Sequence, residues 1–259
     1  MNMTNKIEIV SIPALNDNYI WIIHNSEKYL TSVIDPSESE PVDELLYEKG
    51  WKLDQIINTH HHFDHTNGNY DLKNKWNSEL VAPKMEKSKI SNIDIEVEDN
   101  DEIKIAGLKS KVIHTPGHTI GHVIYYIDEH KVLFAGDTIF SLGCGRVFEG
   151  TMKQMYESLE KIKSFHPKTK IYCGHEYTET NLTFSLSIDP NNKELEHLSQ
   201  QIIKLRKARK PTLPTELSLE LLCNPFLRTD KDEIANKFDC KKGNPLEVFI
   251  KLRKLKDSF

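Results

Sequence analysis

Short apolar runs bounded by turn-forming residues recur through the first two-thirds of the chain. Lys6–Ile12, Tyr19–His24, Tyr29–Ile34 and Leu53–Asn58 are predicted strands. Leu80–Ala82, Glu102–Ile105, Lys111–His114, His122–Ile127, Val132–Ala135 and Lys170–Cys173 follow in the same style. Asp99-Asn100-Asp101 lies between two such runs and predicts a hairpin turn. Pro41 to Gly50, with Val42, Leu45 and Leu46 between, predicts a helix that proline opens and glycine closes. Thr151 with Gln154 makes a capping box. Behind it Met152, Met155, Tyr156, Leu159, Ile162 and Phe165 recur at helical spacing, a stripe that faces a core. From about residue 176 the alternation stops. Asn192–Arg209 carries Leu195, Leu198, Ile202 and Leu205 at helical spacing, and Pro245–Lys256 carries Leu246, Phe249 and Leu252. Pro211, Pro214 and Pro225 divide this segment into helices and loops. The pattern predicts an α/β domain over residues 1–175 and a smaller helical domain over 176–259.

Composition narrows the class. The 259 residues are 38% hydrophobic, enough for a sizeable core. The balance of 34 basic against 39 acidic side chains, a net charge of -5, argues against nucleic acid as a partner. No stretch approaches the roughly 18 to 20 apolar residues that span a bilayer. MNMTNKIEIVSIPAL at the start lacks a continuous apolar run, which argues against a secretory signal. Cys144, Cys173, Cys223 and Cys240 show no CxxC spacing, so buried or idle thiols are expected. A soluble, cytoplasmic monomer is the expectation, with no membrane partner.

Of 12 histidines, four fall in LDQIINTHHHFDH, residues 53–65, where an apolar strand ends at Thr59. Side chains two apart on extended backbone share a side, so His60 and His62 can share one metal ion. A turn at Phe63 would send Asp64 and His65 toward a neighbouring position. His61 should point away and pack or hydrogen-bond behind the ligands. His118 in HTPGHT, Asp137 in FAGDT and His175 in CGHE each come soon after a short strand and directly after Gly117, Gly136 and Gly174. Ligands gathered at strand ends are how an α/β scaffold builds a site. Five His and two Asp suit two ions sharing one bridging carboxylate and a water. That count assigns His60, His62 and His118 to one ion, Asp64, His65 and His175 to the other, and Asp137 to the bridge. His24, His130, His166 and His197 are expected to be solvated or internally satisfied, and His114 and His122 to orient rather than ligate.

THHHFDH at 59–65, TPGHT at 115–119, GDT at 136–138 and GHE at 174–176 resemble the metallo-β-lactamase superfamily. NDNYIW at 16–21, GCGRVFEGT at 143–151, CGHEYT at 173–178, NPFLR at 224–228 and the basic end KLRKLKDSF are similar to the hydroxyacylglutathione hydrolases, the glyoxalase II family. The resemblance implies an αββα sandwich followed by a helical substrate domain. It implies two divalent ions, zinc first, with iron or manganese as alternatives. It also implies hydrolysis of S-D-lactoylglutathione to D-lactate and glutathione, the second step of methylglyoxal detoxification. Arg146, Tyr177, Arg253 and Lys256 then correspond to residues that bind glutathione, and Phe148 stands where the family has a second tyrosine. Arg253 and Lys256 are three apart and would share a helix face, although cations near a helix C-terminus are often only solvated.

The expected chemistry is attack of a metal-bridging hydroxide on the thioester carbonyl, with His60, His62, Asp64 and Asp137 as the catalytic set. Three alternatives stay open. A lactonase or β-lactamase would share the metal site without the glutathione-binding tail. A mononuclear-iron persulfide dioxygenase would consume oxygen instead of cleaving a thioester. A non-catalytic binder of glutathione conjugates would need neither, although all seven ligand positions are filled.

Overall fold

The computed structural model describes residues 6–240 and 244–259. The chain forms two compact units: the first runs up to His114 and adds Gly121–Gly136, and the second joins Thr115–Ile120 to Asp137–Phe259.

In the first unit, strands β1 (Ile7–Ala14), β2 (Asn18–Asn25) and β3 (Leu30–Ile34) form an antiparallel meander. Helix α1 (Glu40–Lys49) leads into β4 (Gln55–Ile57), which pairs parallel to β3. A helical turn α2 (Phe63–Thr66) and helix α3 (Asn69–Trp76) precede β5 (Glu79–Pro83), and β6 (Ile95–Val97) closes the sheet in parallel pairing. Alternation explains the layering. Ile20 and Ile22 of β2 pack with Val33, Ile56 and Leu80 against Val42 and Leu46 of α1 and Leu72 of α3. Every residue of β2 is buried, so the intervening Tyr19, Trp21 and Ile23 are covered on the sheet's other face. That face meets a second antiparallel group, β7 (Glu102–Ile105), β8 (Leu108–His114), β9 (Val123–Ile127) and β10 (Val132–Gly136). Ala106 N donates to Ser32 Oγ at 2.8 Å, Asn25 Nδ2 to Ala106 O at 3.1 Å and Tyr125 OH to Asn58 O at 2.8 Å across this junction. α1 ends as predicted, on Gly50 at φ 66°.

Asp99-Asn100-Asp101 does not close a hairpin. β6 pairs with β5 and β7 with β8, so the turn, with Asn100 at φ 70°, carries the chain from one sheet to the other. The spacing of turn residues was correctly placed, but the strand before it is satisfied by a parallel neighbour instead.

The second unit holds the ribbon β11 (Ile139–Phe140) and β12 (Gly143–Cys144), then helix α4 (Met152–Lys163) behind its Thr151–Gln154 capping box. β13 (Lys170–Cys173) is followed by α5 (Thr178–Ile188) and α6 (Lys193–Lys207). β14 (Thr215–Glu216) pairs antiparallel to β13, a strand in a segment where none was expected. It is two residues long, below the length at which alternation is readable. α7 (Leu217–Cys223), the turn α8 (Asp232–Ala235) and α9 (Pro245–Asp257) complete the unit. Leu142, Leu182, Leu195, Ile202 and Cys223 form an apolar cluster here. Among the described residues no helix is long and apolar enough to cross a membrane.

Candidate metal centre

In the first unit the donors come from the segment after β4. His62 is extended at φ -59°, ψ 145° and caps α2, so the backbone turns at Phe63 as expected. This turn separates His60 and His62 from Asp64 and His65. His60 is fully buried, and its Nε2 lies 3.1 Å from His62 Nδ1. His65 Nε2 lies 3.6 Å from Asp64 Oδ2. Asn18 Nδ2 donates to both the carbonyl and Oδ2 of Asp64 at 3.0 Å, which sets that carboxylate's orientation.

The nitrogens facing away from this cluster are held. His60 Nδ1 is 3.0 Å from Thr59 Oγ1, and His65 Nδ1 is 3.1 Å from Asp35 Oδ2. Asp35 also accepts from Thr59 N at 2.8 Å and from Thr59 Oγ1 at 2.7 Å. Sequence reasoning did not single out Asp35. The signal was present, because Asp35 follows β3 as Asp137 follows β10. The Nδ1 of His61 pairs with the buried carboxylate of Glu86. His122 stacks on His60, with centroids 4.8 Å apart. Gly136 takes φ 45°, and a Cβ there would come within 2.8 Å of His122 Nε2, so only glycine fits that turn.

In the second unit one carboxylate oxygen collects two imidazoles. Asp137 Oδ2 lies 3.4 Å from His118 Nε2 and 3.3 Å from His175 Nε2. His118 Nδ1 is held by the Arg146 carbonyl at 2.9 Å. Gly117, at φ 149°, passes the next helix so closely that a Cβ would sit 2.7 Å from Met155 Cβ. The His175 ring stacks on Tyr177 at 4.7 Å and 5°. Glu176 accepts from Thr212 N at 2.9 Å and Thr212 Oγ1 at 2.6 Å, fixing the chain beyond β13.

These donors fit divalent metal ions. Imidazole nitrogen and carboxylate oxygen bind zinc at about 2.0–2.2 Å, so two ligands of one tetrahedral ion stand about 3.3–3.5 Å apart. The Asp137–His118 and Asp137–His175 separations match that spacing, and His60–His62 comes close to it. Imidazoles whose remote nitrogen is already bonded present the near one as a lone pair. Three of the four cysteines, Cys144, Cys173 and Cys223, offer no competing nucleophile. Burial pushes the thiols of Cys144 and Cys173 up, and that of Cys223 up to about 12, so all three stay protonated at neutral pH.

Arg146, Arg253, Lys256 and Asp257 form a charged group within the second unit. Arg253, expected to share a helix face with Lys256 and to bind glutathione, is buried. Its Nη1 donates to Cys144 O at 2.8 Å, its Nη2 reaches Asp257 Oδ1 at 2.9 Å, and its guanidinium lies over the Phe226 ring. Arg146 is exposed and 3.8 Å from the same Asp257 oxygen. Lys256 is half-buried. Burial, then Arg253 and Arg146, push its ammonium down from the ordinary lysine value. Such a site favours an arriving anion. Phe148 is 61% exposed, with its ring 5.2 Å from His118.

Two family models match the chain: "Metallo-beta-lactamase superfamily" over residues 15–175 and "Hydroxyacylglutathione hydrolase C-terminus" over 176–259. A curated relative from Brucella ovis, named hydroxyacylglutathione hydrolase, is 43% identical over 257 residues, covering 99% of this chain and 100% of its own. Among solved structures, a metallo-β-lactamase from Staphylococcus aureus is 21% identical with a TM-score of 0.67, covering 98% of this chain and 72% of its own. The ETHE1 structure from Myxococcus xanthus is 21% identical with a TM-score of 0.65, covering 96% and 99%. At that identity the two structures speak to the fold alone. Full-length identity above 40% carries the narrower assignment: the chain belongs to the hydroxyacylglutathione hydrolase family, within the metallo-β-lactamase superfamily.

Proposed function

We propose that the protein hydrolyses S-2-hydroxyacylglutathione thioesters, S-D-lactoylglutathione foremost, to the hydroxy acid and glutathione. It thereby performs the second step of methylglyoxal detoxification. Family membership supports the reaction class, and the oxygen of Asp137 shared by two imidazole nitrogens is the observation that carries the site. His60, His62 and His118 would hold one divalent ion, and Asp64, His65 and His175 the other, with Asp137 common to both. Zinc is the proposed metal, with iron or manganese accepted by the same donors. Two such ions, when bound, lower the pKa of a coordinated water from about 15.7 toward about 7 and polarise a carbonyl oxygen.

The chain's own residues do the rest. Asp64 and Asp137 reduce the positive charge of the centre, and Asn18 and Asp35 keep their neighbours from rotating. Arg146 and Lys256 would take the carboxylates of glutathione, with Tyr177 alongside. Arg253 would act in the same subsite by fixing the Cys144 carbonyl and holding Asp257. In this reading residues 176–259 serve substrate binding, and Phe148 replaces one hydroxyl contact of the family with an apolar surface. A reducing compartment such as the cytoplasm suits cysteines kept as thiols.

Asp137→Ala tests the site. It should lower both metal content and turnover of S-D-lactoylglutathione, whereas His197→Ala should alter neither. Two retained metals with full turnover in Asp137→Ala would overturn the bridging role.

A further inference from the structure

We infer that Glu86 is a positioning residue for the metal-binding histidines, acting on both neighbours of His60. Glu86 lies in a short 3-10 turn, Lys84–Glu86, that follows β5, and it is only 2% exposed. A carboxylate this deep is costly unless each oxygen has a partner. Both do. One oxygen pairs with His61 Nδ1, and the other accepts from Gly121 N at 2.8 Å.

These two partners flank one imidazole. His61 is adjacent to His60 and His62 in sequence, so fixing its ring fixes the backbone from which both donors project. The opposite nitrogen of His61 lies 3.3 Å from Lys89 Nζ. Lysine is only a donor, so His61 Nε2 accepts and Nδ1–H donates to Glu86. The ring is therefore held at both ends. Gly121 precedes His122, whose fully buried ring stacks on His60. The junction is tight, because a Cβ on Gly121 would lie 2.8 Å from Glu86 Cγ. One side chain thus braces the strand-end loop and the β9 entry, which close on His60 from two directions. Val123 N donating to Thr59 O at 3.0 Å ties the same two segments by backbone.

This inference rests on the proposed metal reading, and its test separates the two. Zinc affinity would be measured by chelator competition on apo-protein reloaded with metal, for wild type, Glu86→Gln and Glu86→Ala. Co²⁺ absorption would be recorded on the same three proteins, and apo-protein melting would be followed alongside. Loss of a direct outer partner of a metal-ligating histidine typically weakens metal binding about 10–100-fold, and Glu86, which acts one side chain further out, should fall at the low end, about 10-fold. That loss is expected in Glu86→Ala, with a smaller one in Glu86→Gln, which keeps an acceptor for Gly121 N. The Co²⁺ band should shift in the folded variants. If Glu86→Ala does not fold, Glu86→Gln decides. A purely structural role would lower the apo-protein melting temperature and leave affinity and band unchanged, and that outcome overturns the inference. If wild type itself binds no metal, the functional reading fails instead.

Discussion

At the residue scale, the proposed metal donors and their supports differ in how visible they are. His60, His62, Asp64 and His65 stand together in sequence, and two-residue spacing on extended backbone is enough to read a shared target. Asp35 and Glu86 are equally engaged, but they act across 30 and 25 positions and carry no local pattern. The basic C-terminus was legible as a charged face but not as two different roles. Arg253 is consumed by Cys144 and Asp257, while Lys256 remains half-exposed. The two should therefore separate on mutation. Lys256→Ala is expected to raise KM for glutathione thioesters with kcat nearly unchanged. Arg253→Ala should additionally lower stability by about 1–3 kcal/mol through its lost buried hydrogen bonds, read as a shift in urea midpoint. Because Lys256 titrates below an ordinary lysine, wild-type KM should begin to rise at correspondingly lower alkaline pH. Lys256→Ala should lack that rise; a KM equal to wild type across the range would remove Lys256 from binding.

At the element scale, Glu102–Ile105 and Lys170–Cys173 were found at their bounds, and the other expected strands lie within about three residues of theirs. α5 escaped because Thr178, Asn181 and Ser185 face its core beside Leu182, Phe184 and Ile188, so no apolar stripe marks it. α3 escaped for a related reason, with Asn69 and Leu72 its buried residues. The polar core faces of α5 and α7 follow from what these two helices hold. Asn181 donates to Ser141 O at 3.0 Å and Asn224 to Gly143 O at 3.0 Å, both in the β11–β12 ribbon. Glu220, fully buried, accepts from Leu142 N at 2.8 Å in the same ribbon and from Thr215 Oγ1 at 2.7 Å. Burial raises its carboxyl above the usual carboxylate value of 4.5. A folded-state acid with a raised pKa binds its proton longer than the unfolded chain does, so its contribution to stability falls as pH climbs from about 4.5 through that raised value. Urea midpoints of wild type and Glu220→Gln measured between acid and neutral pH should diverge accordingly, wild type losing ground as pH rises. Parallel curves would show that Glu220 keeps an ordinary pKa.

At the scale of the molecule, each compact unit carries its own group of donors: His60, His62, Asp64 and His65 in one, His118, Asp137 and His175 in the other. The spacing within 60–65, and placement after strands and glycines for the other three, singled out these seven, because a metal site would constrain residue type far more tightly than a core does. It was insufficient for the scaffold around them, where Thr59, Asn18 and His122 matter through contact alone. The central claim is that these donors make a two-metal thioester hydrolase. It is tested most directly by elemental analysis and S-D-lactoylglutathione hydrolysis on one purified sample, before and after chelation and again after metal is restored. The account predicts about two divalent ions per chain, with turnover lost on chelation and regained on reloading. Thioester cleavage that persists in metal-free protein, or a fully loaded protein that leaves the thioester intact, would contradict it.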